Sequence, residues 1–216
     1  MPRMSKLSIA LLLSLGSGSL LAAADLADAV MNQDAQAITA LLQQGTDVNE
    51  GQGDGSTALH YAVYQNDLAL AARLLAAGAD AEAMTRLGAT PLYLAAVNGD
   101  ADMLTVLLTG GADANTAVLS NNETPLMFAA RSGSVAAVNV LLEAGAHIDA
   151  RDDYRGATAL LFAAEQNHTG VIKLLIEHGT DINARTKTVI NEGRRGPSAP
   201  TGGLTALMLA AREGGL

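Results

Sequence analysis

Four histidines are the side chains of this sequence best suited to acid–base catalysis or to metal binding. They are His60, His147, His168 and His178, scattered along the chain with no HxxH or HExxH spacing. The sequence has no cysteine, which excludes thiolate zinc sites and a disulfide framework. We therefore predict no metal site, no other cofactor and no catalytic histidine.

A glycine-rich segment and an acidic pair are the other features that could do chemistry. Residues 51–55 read GQGDG and could be mistaken for a phosphate-binding loop. They follow no predicted buried strand and lead into a threonine suited to capping a helix, which favours a simple turn. Asp152 and Asp153 could mimic catalytic carboxylates, but neighbouring carboxylates on a turn in water indicate no such role. No nucleophile elbow or P-loop motif occurs. The sequence therefore predicts a protein that is not an enzyme.

One short segment occurs in five copies along the chain, and its spacing predicts the structural elements that carry the residues discussed above. Its copies are STALHYA at 56–62, ATPLYLA at 89–95, ETPLMFA at 123–129, ATALLFA at 157–163 and LTALMLA at 204–210. The threonines are spaced by 33, 34, 34 and 47 residues. A second pattern, Leu-Leu followed by Gly, runs in phase from 74, 107, 141 and 174. Such in-phase repetition indicates a stack of similar structural units.

Each unit is predicted to contain two short helices joined by a tight turn. In one copy, the Thr90 hydroxyl suits a helix N-cap and Pro91 suits the first helical position. Gly99 tolerates the left-handed backbone that ends the first helix, and Asp100 can cap the second. Gly111 then suits the position just after the second helix. The corresponding second-helix caps in other copies are Asp67, Ser134 and a poorer one, His168.

The combined pattern resembles the ankyrin repeat. It comprises Thr-Pro-Leu-x-x-Ala-Ala, a Gly-Asp turn and Leu-Leu-x-x-Gly-Ala-Asp-x-Asn at a period of 33, and it covers residues 25–216. The resemblance implies an all-α solenoid of helix-turn-helix units with short β-hairpin fingers. It also implies that His60 is a structural hydrogen-bonding residue, and that finger tips and first-helix edges form a concave face for a partner protein.

The repeat boundaries predict eight segments. These are a signal peptide (1–24), a degenerate N-terminal capping repeat (25–50), four ankyrin repeats (51–84, 85–118, 119–151 and 152–184), an inserted basic Pro/Gly-rich loop (185–201) and an incomplete repeat (202–216). The loop is either a solvated finger without a role or a projecting contact for an acidic partner. Because the incomplete repeat stops before its second helix, we expect the chain to be a piece of a longer array.

The first 24 residues have the composition of a secretory signal peptide. Arg3 and Lys6 precede an almost wholly apolar run at 7–15, and small residues at 22–24 favour cleavage after Ala24. A membrane anchor is disfavoured because residues 16–19, GSGS, interrupt the run well short of the ~20 residues that a membrane span needs. We expect a periplasmic or secreted protein whose mature chain has no stable membrane insertion.

A partner protein is the binding target that the sequence favours. The chain has 22 acidic residues against 13 basic ones, and such a surface disfavours nucleic acid. Tyrosine and arginine are frequent anchors at interfaces, whereas Tyr61, Phe128 and Phe162 occupy predicted core positions. On the face that the resemblance implies, the predicted contacts are Tyr64, Arg86, Leu87, Asn121, Arg131, Tyr154 and Arg155.

The predicted function is that of an exported protein–protein interaction scaffold. Two alternatives remain open: a targeting arm of a longer protein whose catalytic domain lies beyond residue 216, and a passive spacer. Finger residues vary freely on a common backbone, so the sequence identifies neither the partner protein nor the oligomeric state.

Overall fold

The computed structural model describes residues 26–118, 121–188, 192–193, 196–197 and 202–212. Within these ranges the chain forms eleven α-helices and one two-stranded antiparallel sheet. The predicted signal peptide lies outside the described residues, as do much of the inserted loop and the last four residues. All further structural statements concern the described ranges.

The helices form successive contacting pairs, as the repeat pattern predicts. The pairs are α1 (Leu26–Met31) and α2 (Ala35–Gln44), α3 (Ala58–Tyr64) and α4 (Leu68–Ala76), α5 (Pro91–Asn98) and α6 (Ala101–Thr109), α7 (Pro125–Ser132) and α8 (Val135–Glu143), and α9 (Ala159–Glu165) and α10 (Thr169–Glu177), followed by α11 (Ala206–Arg212). The first helices α1, α3, α5, α7, α9 and α11 pack side by side in one layer. Helices α4, α6, α8 and α10 form a second layer. This two-layer stack confirms the predicted all-α solenoid.

Side-chain caps fix where the helices begin. The Thr90 hydroxyl accepts a hydrogen bond from the Tyr93 amide at 3.1 Å, at the start of α5. The Asp100 carboxylate accepts from the Met103 amide at 3.0 Å, at the start of α6. Each bond satisfies an amide that the helix itself leaves without a partner. By contrast, His168 makes no side-chain cap at α10, in agreement with the expectation that it is a poor cap.

Gly133 shows how the turns of neighbouring repeats pack together. Its φ angle is 82°, in the left-handed region that glycine adopts at little cost. A Cβ atom at this position would lie 2.7 Å from the nearest carbon of the His168 ring. The ring is held there by a hydrogen bond from its Nε2 to the Arg131 carbonyl, at 2.9 Å. The imidazole that fails to cap α10 therefore joins its turn to the preceding one.

The connections between repeats are hairpin fingers, each closed by a backbone hydrogen bond. The Thr85 amide donates to the Ala89 carbonyl at 3.0 Å, and the corresponding bond joins Thr186 to Leu204 at the same length. The last finger therefore contains residues 187–203, including the short strands β1 (Glu192–Gly193) and β2 (Gly196–Pro197), which pair antiparallel. The inserted segment is an enlarged finger between α10 and α11.

Small aliphatic side chains build a core that is continuous along the stack. The leucine of each recurring segment is buried in four copies, with exposed fractions of 0 to 1% at Leu59, Leu92, Leu126 and Leu160. Each such side chain contributes about 1.5–3 kcal/mol when it is fully buried. Phe128 and Phe162 are buried, as expected, whereas Tyr61 is only half-buried and packs at the core margin.

Candidate protein-binding groove

Two adjoining cavities form one groove beside the first helices α7, α9 and α11 and the fingers that precede them. Their volumes are about 510 Å³ and 370 Å³, and they share Tyr154, Arg155 and Glu165. We call this the C-terminal groove. Its lining residues are Asn121, Glu123, Arg131, Asp152, Tyr154, Arg155, Phe162, Glu165, Gln166, Thr186, Lys187, Gly202, Leu204, Leu209 and Arg212.

Backbone hydrogen bonds join the finger tips along the edge of this groove. The Asp153 amide donates to the Asn121 carbonyl at 2.8 Å, and the Lys187 amide donates to the Arg155 carbonyl at 2.6 Å. Each bond links a finger to the next one in the stack. The side chains at the tips are therefore carried by connected backbone rather than by independent loops.

Phe162 provides the aromatic floor of the groove. The guanidinium carbon of Arg131 lies 4.4 Å from the centroid of its ring, and that of Arg155 lies 5.2 Å away. Arg131 also lies 5.5 Å from the Phe128 ring. A cation over an aromatic face is attracted by the negative potential of the ring. The two arginines are thus held against a buried surface.

Arg155 is paired with a carboxylate of the protein through both of its terminal nitrogens. Its two terminal nitrogens donate to the two carboxylate oxygens of Glu165, at 2.5 and 2.9 Å. This hydrogen bonding raises the pKa of the Arg155 guanidinium above its ordinary value. A two-point pair of this kind is strong and directional, so Arg155 and Glu165 form a fixed wall of the groove.

Arg131 is paired far more weakly. One of its terminal nitrogens lies 3.4 Å from a carboxylate oxygen of Glu123, a long distance for a bond between charged groups. The Arg131 side chain is 44% exposed, whereas that of Glu123 is 13% exposed. Within the described ranges its guanidinium makes no other hydrogen bond. Most of its five N–H donors therefore remain available to a ligand.

The structure brings together four of the seven predicted contact residues. Asn121, Arg131, Tyr154 and Arg155 line the C-terminal groove. The other three, Tyr64, Arg86 and Leu87, lie outside that lining and are exposed nearer the N-terminal end of the stack. Exposure is high at the Tyr64, Tyr154 and Leu87 side chains, at 75%, 75% and 83%.

Several groove residues were not among the predicted contacts. The sequence pattern assigns Phe162 to the core alone, yet one part of its side chain lines the groove. Lys187 lies in the enlarged finger. Leu204 closes that finger, and Leu209 lies in α11. The 47-residue spacing between Thr158 and Thr205, the threonines of the last two recurring segments, was a signal for this enlargement. It gave no indication that the finger contributes to a groove shared with the preceding repeat.

His60 has a structural environment, as the resemblance implies. Its Nδ1 accepts a hydrogen bond from the Thr57 amide at 3.2 Å, and its Nε2 donates to the Ala89 carbonyl of the next finger at 3.1 Å. Burial lowers the pKa of this imidazole from its ordinary value. The neutral ring thus links two successive repeats, and both of its nitrogens are occupied.

The acidic pair differs from expectation at one residue. Asp153 is exposed, but Asp152 is buried, so the prediction that both carboxylates lie in water is wrong for Asp152. Its two oxygens accept hydrogen bonds from the Arg155 and Ala157 amides, at 2.5 and 2.9 Å. Asp152 is enclosed because its carboxylate organises the turn of the finger. It does not form a carboxylate pair with its neighbour.

The glycine-rich segment forms a finger turn. The Gln52 amide donates to the Ser56 carbonyl at 2.9 Å, which closes the hairpin. The Asp54 carboxylate accepts from the Ser56 amide at 2.8 Å, and this bond lowers the pKa of Asp54. Across the described ranges, no three His, Asp or Glu side chains group closely enough to hold a metal ion.

Comparison with known proteins identifies the repeats. A family model described as "Ankyrin repeats (3 copies)" matches residues 26–118, 98–186 and 152–216. No curated protein matches the chain. Among the helices of the described ranges, none has the length and apolar character needed to cross a membrane. Ankyrin repeats are generally non-catalytic modules that bind other proteins. The three matches together span nearly all of the sequence, and the chain belongs to the ankyrin-repeat family.

Proposed function

We propose that this protein is an exported interaction scaffold that binds a partner protein through the concave face formed by its fingers and first helices. The principal contact in this proposal is the C-terminal groove. The observation that carries it is the position of Arg131 and Arg155 over the Phe162 ring, in a groove that the exposed Tyr154 also lines. Tyrosine and arginine dominate the energetics of many protein interfaces.

The groove is suited to binding because much of it is already ordered. Arg155 is fixed by Glu165, and the finger that carries Tyr154 is joined to its neighbours through the backbone. Side chains that are held in place before binding lose less conformational entropy when a partner arrives. The arrangement therefore favours the binding of a partner.

Export is the second part of the proposal, and it depends on the sequence of residues 1–24. Basic residues, a short apolar run and small residues before Asp25 favour secretion and cleavage after Ala24. Expression in a Gram-negative host, followed by fractionation and N-terminal sequencing of the product, tests this. We expect the periplasmic chain to begin at Asp25. Recovery of an uncleaved chain from the cytoplasm would contradict export.

Site-specific crosslinking tests the binding face. A photoreactive benzoylphenylalanine replaces Tyr154 in the groove or, as a control, the exposed Ala136 on the second-helix layer. After irradiation in a periplasmic extract, we expect a discrete crosslinked protein from position 154 and none from position 136. The same product should weaken when Arg131→Glu is added. Equal crosslinking from both positions, or no effect of the charge reversal, would refute the assignment of this face.

A further inference from the structure

We infer that the C-terminal groove selects an acidic segment of its partner, and that Arg131 receives a partner carboxylate. This inference rests on the proposed protein-binding function and specifies the chemistry of the partner. It follows from the distribution of charge along the chain, from the different engagement of the two groove arginines and from the surroundings of Lys187.

Charge is distributed unevenly between the two halves of the stack. Residues 25–118 contain twelve acidic and two basic residues, whereas residues 119–216 contain ten acidic and nine basic ones. Four of those nine basic residues line the groove, namely Arg131, Arg155, Lys187 and Arg212. An acidic protein that concentrates its cations in one groove provides local attraction for a negatively charged ligand.

Of the three carboxylates that line the groove, two are already occupied and the third is mostly covered. Asp152 is buried and accepts two backbone amides, and Glu165 holds Arg155 through both of its oxygens. Glu123 is mostly covered and makes one long contact with Arg131. The negative charges are therefore turned toward the protein, whereas nearly half of the Arg131 side chain is exposed.

Arg131 has the geometry for receiving a carboxylate. The carbon of its guanidinium group lies over two phenylalanine rings, and its single long contact with Glu123 leaves most of its N–H donors free. A planar guanidinium matches a carboxylate through two parallel hydrogen bonds, which a point charge such as an ammonium group cannot reproduce. Arg155, by contrast, already forms such a pair internally and acts as a positioning residue.

Lys187 supplies a second cation on the other side of Tyr154. Its ammonium group donates to the Asp153 carbonyl, and within the described ranges it forms no ion pair. Leu204 and Leu209 line the same cavity and offer an apolar surface beside it. The groove thus fits a segment in which acidic residues flank an apolar or aromatic one.

Peptide binding tests this selectivity. Two fluorescein-labelled seven-residue peptides, Gly-Asp-Glu-Phe-Asp-Glu-Gly and its amide counterpart Gly-Asn-Gln-Phe-Asn-Gln-Gly, are titrated with the full chain and followed by fluorescence anisotropy. We expect the acidic peptide to bind at least roughly tenfold more tightly, as one charged hydrogen bond provides. Added salt should weaken its binding because it screens exposed charges.

Two pairs of matched variants locate the carboxylate site. Arg131→Gln should weaken binding of the acidic peptide roughly tenfold, whereas Arg73→Gln, an equal charge change on the exposed side of α4, should not alter it. Glu123→Gln should strengthen binding by about two- to fivefold, because it removes the competing carboxylate. Its control, Glu143→Gln, removes an exposed carboxylate of α8. Circular dichroism verifies that each variant is folded.

The outcomes separate this inference from the proposed function. Equal affinity for both peptides, equal effects of Glu123→Gln and Glu143→Gln, or binding of a DNA oligonucleotide as tight as that of the acidic peptide would each overturn carboxylate selection. If Tyr154 still crosslinks to a protein under those results, the scaffold function stands and only the acidic chemistry fails. Loss of crosslinking together with retained peptide selectivity would leave the groove chemistry supported and refute the cellular function.

Discussion

The two arginines that lie against the Phe162 ring differ in what their guanidinium groups can still bind. Arg155 donates two hydrogen bonds to the Glu165 carboxylate, whereas Arg131 makes one 3.4 Å contact with Glu123. Residue type alone would rank them equally as interface anchors. Because a binding site gains most from donors that have no internal partner, Arg131 is the side chain whose loss matters for affinity. Loss of Arg155 acts mainly by disordering the wall that it forms with Glu165.

His60 gives a prediction about pH at the same scale. Because burial lowers the pKa of His60, the folded chain binds this proton less readily than the unfolded chain, whose histidine pKa is about 6.5. The Ala89 carbonyl and the Asp54 charge oppose this lowering only in part. The contribution of His60 to stability is therefore present above about pH 6.5 and is lost as the pH falls below that value.

The measurement is urea unfolding at pH 7.5 and pH 5.5. We expect His60→Gln to be less stable than the wild-type chain at pH 7.5, and to lose less of its remaining unfolding free energy on acidification. His178→Gln is the control, because His178 is exposed at the end of α10. It should retain the wild-type pH dependence. Identical pH dependence in the two variants would show that His60 does not carry this effect.

At the scale of the element, the glycines that follow helices offer a test that separates backbone strain from packing. Gly133 directly follows α7, and Gly145 lies just beyond the end of α8. Gly133 and Gly145 have nearly equal φ angles, 82° and 84°. A Cβ at Gly145 would meet nothing within 4 Å, whereas one at Gly133 would meet the His168 ring. Gly145→Ala should lower the unfolding free energy by about 1–2 kcal/mol, the cost of a left-handed alanine.

Gly133→Ala should cost more than Gly145→Ala. The added methyl group displaces the His168 ring and breaks its bond to the Arg131 carbonyl, which adds roughly 1 kcal/mol. Urea denaturation of the two variants measures the difference. Equal losses would mean that the imidazole moves aside freely and does not link the repeats.

The elements themselves could be largely predicted from the sequence, because their signals are local. Thr90, Asp100 and Gly111 lie at or just beyond the helix ends where their types predict them. The groove could not be predicted in the same way. The pairing of Arg155 with Glu165 spans ten residues and depends on how a finger lies over α9. No periodic pattern encodes that distance.

The enlarged finger gives a second prediction for the elements. Replacing residues 187–203 with Ser-Leu-Gly, which has the length of residues 86–88 but carries no cation, should keep the fold, because Thr186 and Leu204 still close the hairpin. Loop-closure entropy changes slowly with length, so the unfolding free energy should shift by no more than about 1.5 kcal/mol. Binding of the acidic peptide should nevertheless weaken, since Lys187 is removed. Unchanged binding would exclude the finger from the groove, and collapse of the fold would show that it is structural.

At the scale of the whole molecule, stability depends on how many neighbours each repeat has. In a linear stack every repeat contacts only the units beside it, and total stability is approximately a sum of repeat and interface contributions. Helices α5 to α8 have packed neighbours on both sides. Helix α11 packs against α9, and Leu209 is its only buried residue among those described, while Leu207 and Met208 are exposed. The end of the stack that borders the groove therefore has less packing than the middle.

Hydrogen exchange measured by mass spectrometry tests this gradient. We expect amides of α5 to α8 to exchange slowest and those of α11 to exchange fastest, because local opening costs least where fewest apolar contacts break.

Leu107→Ala removes most of a side chain that is 0% exposed and should lower the unfolding free energy by about 2–5 kcal/mol. The loss of protection should spread into α4 and α8, the helices on either side of α6. Leu207→Ala is the matched control, since its side chain is 68% exposed, and it should leave the middle repeats unchanged. Uniform protection along the chain, or equal effects of the two leucine substitutions, would contradict a stability built from successive interfaces.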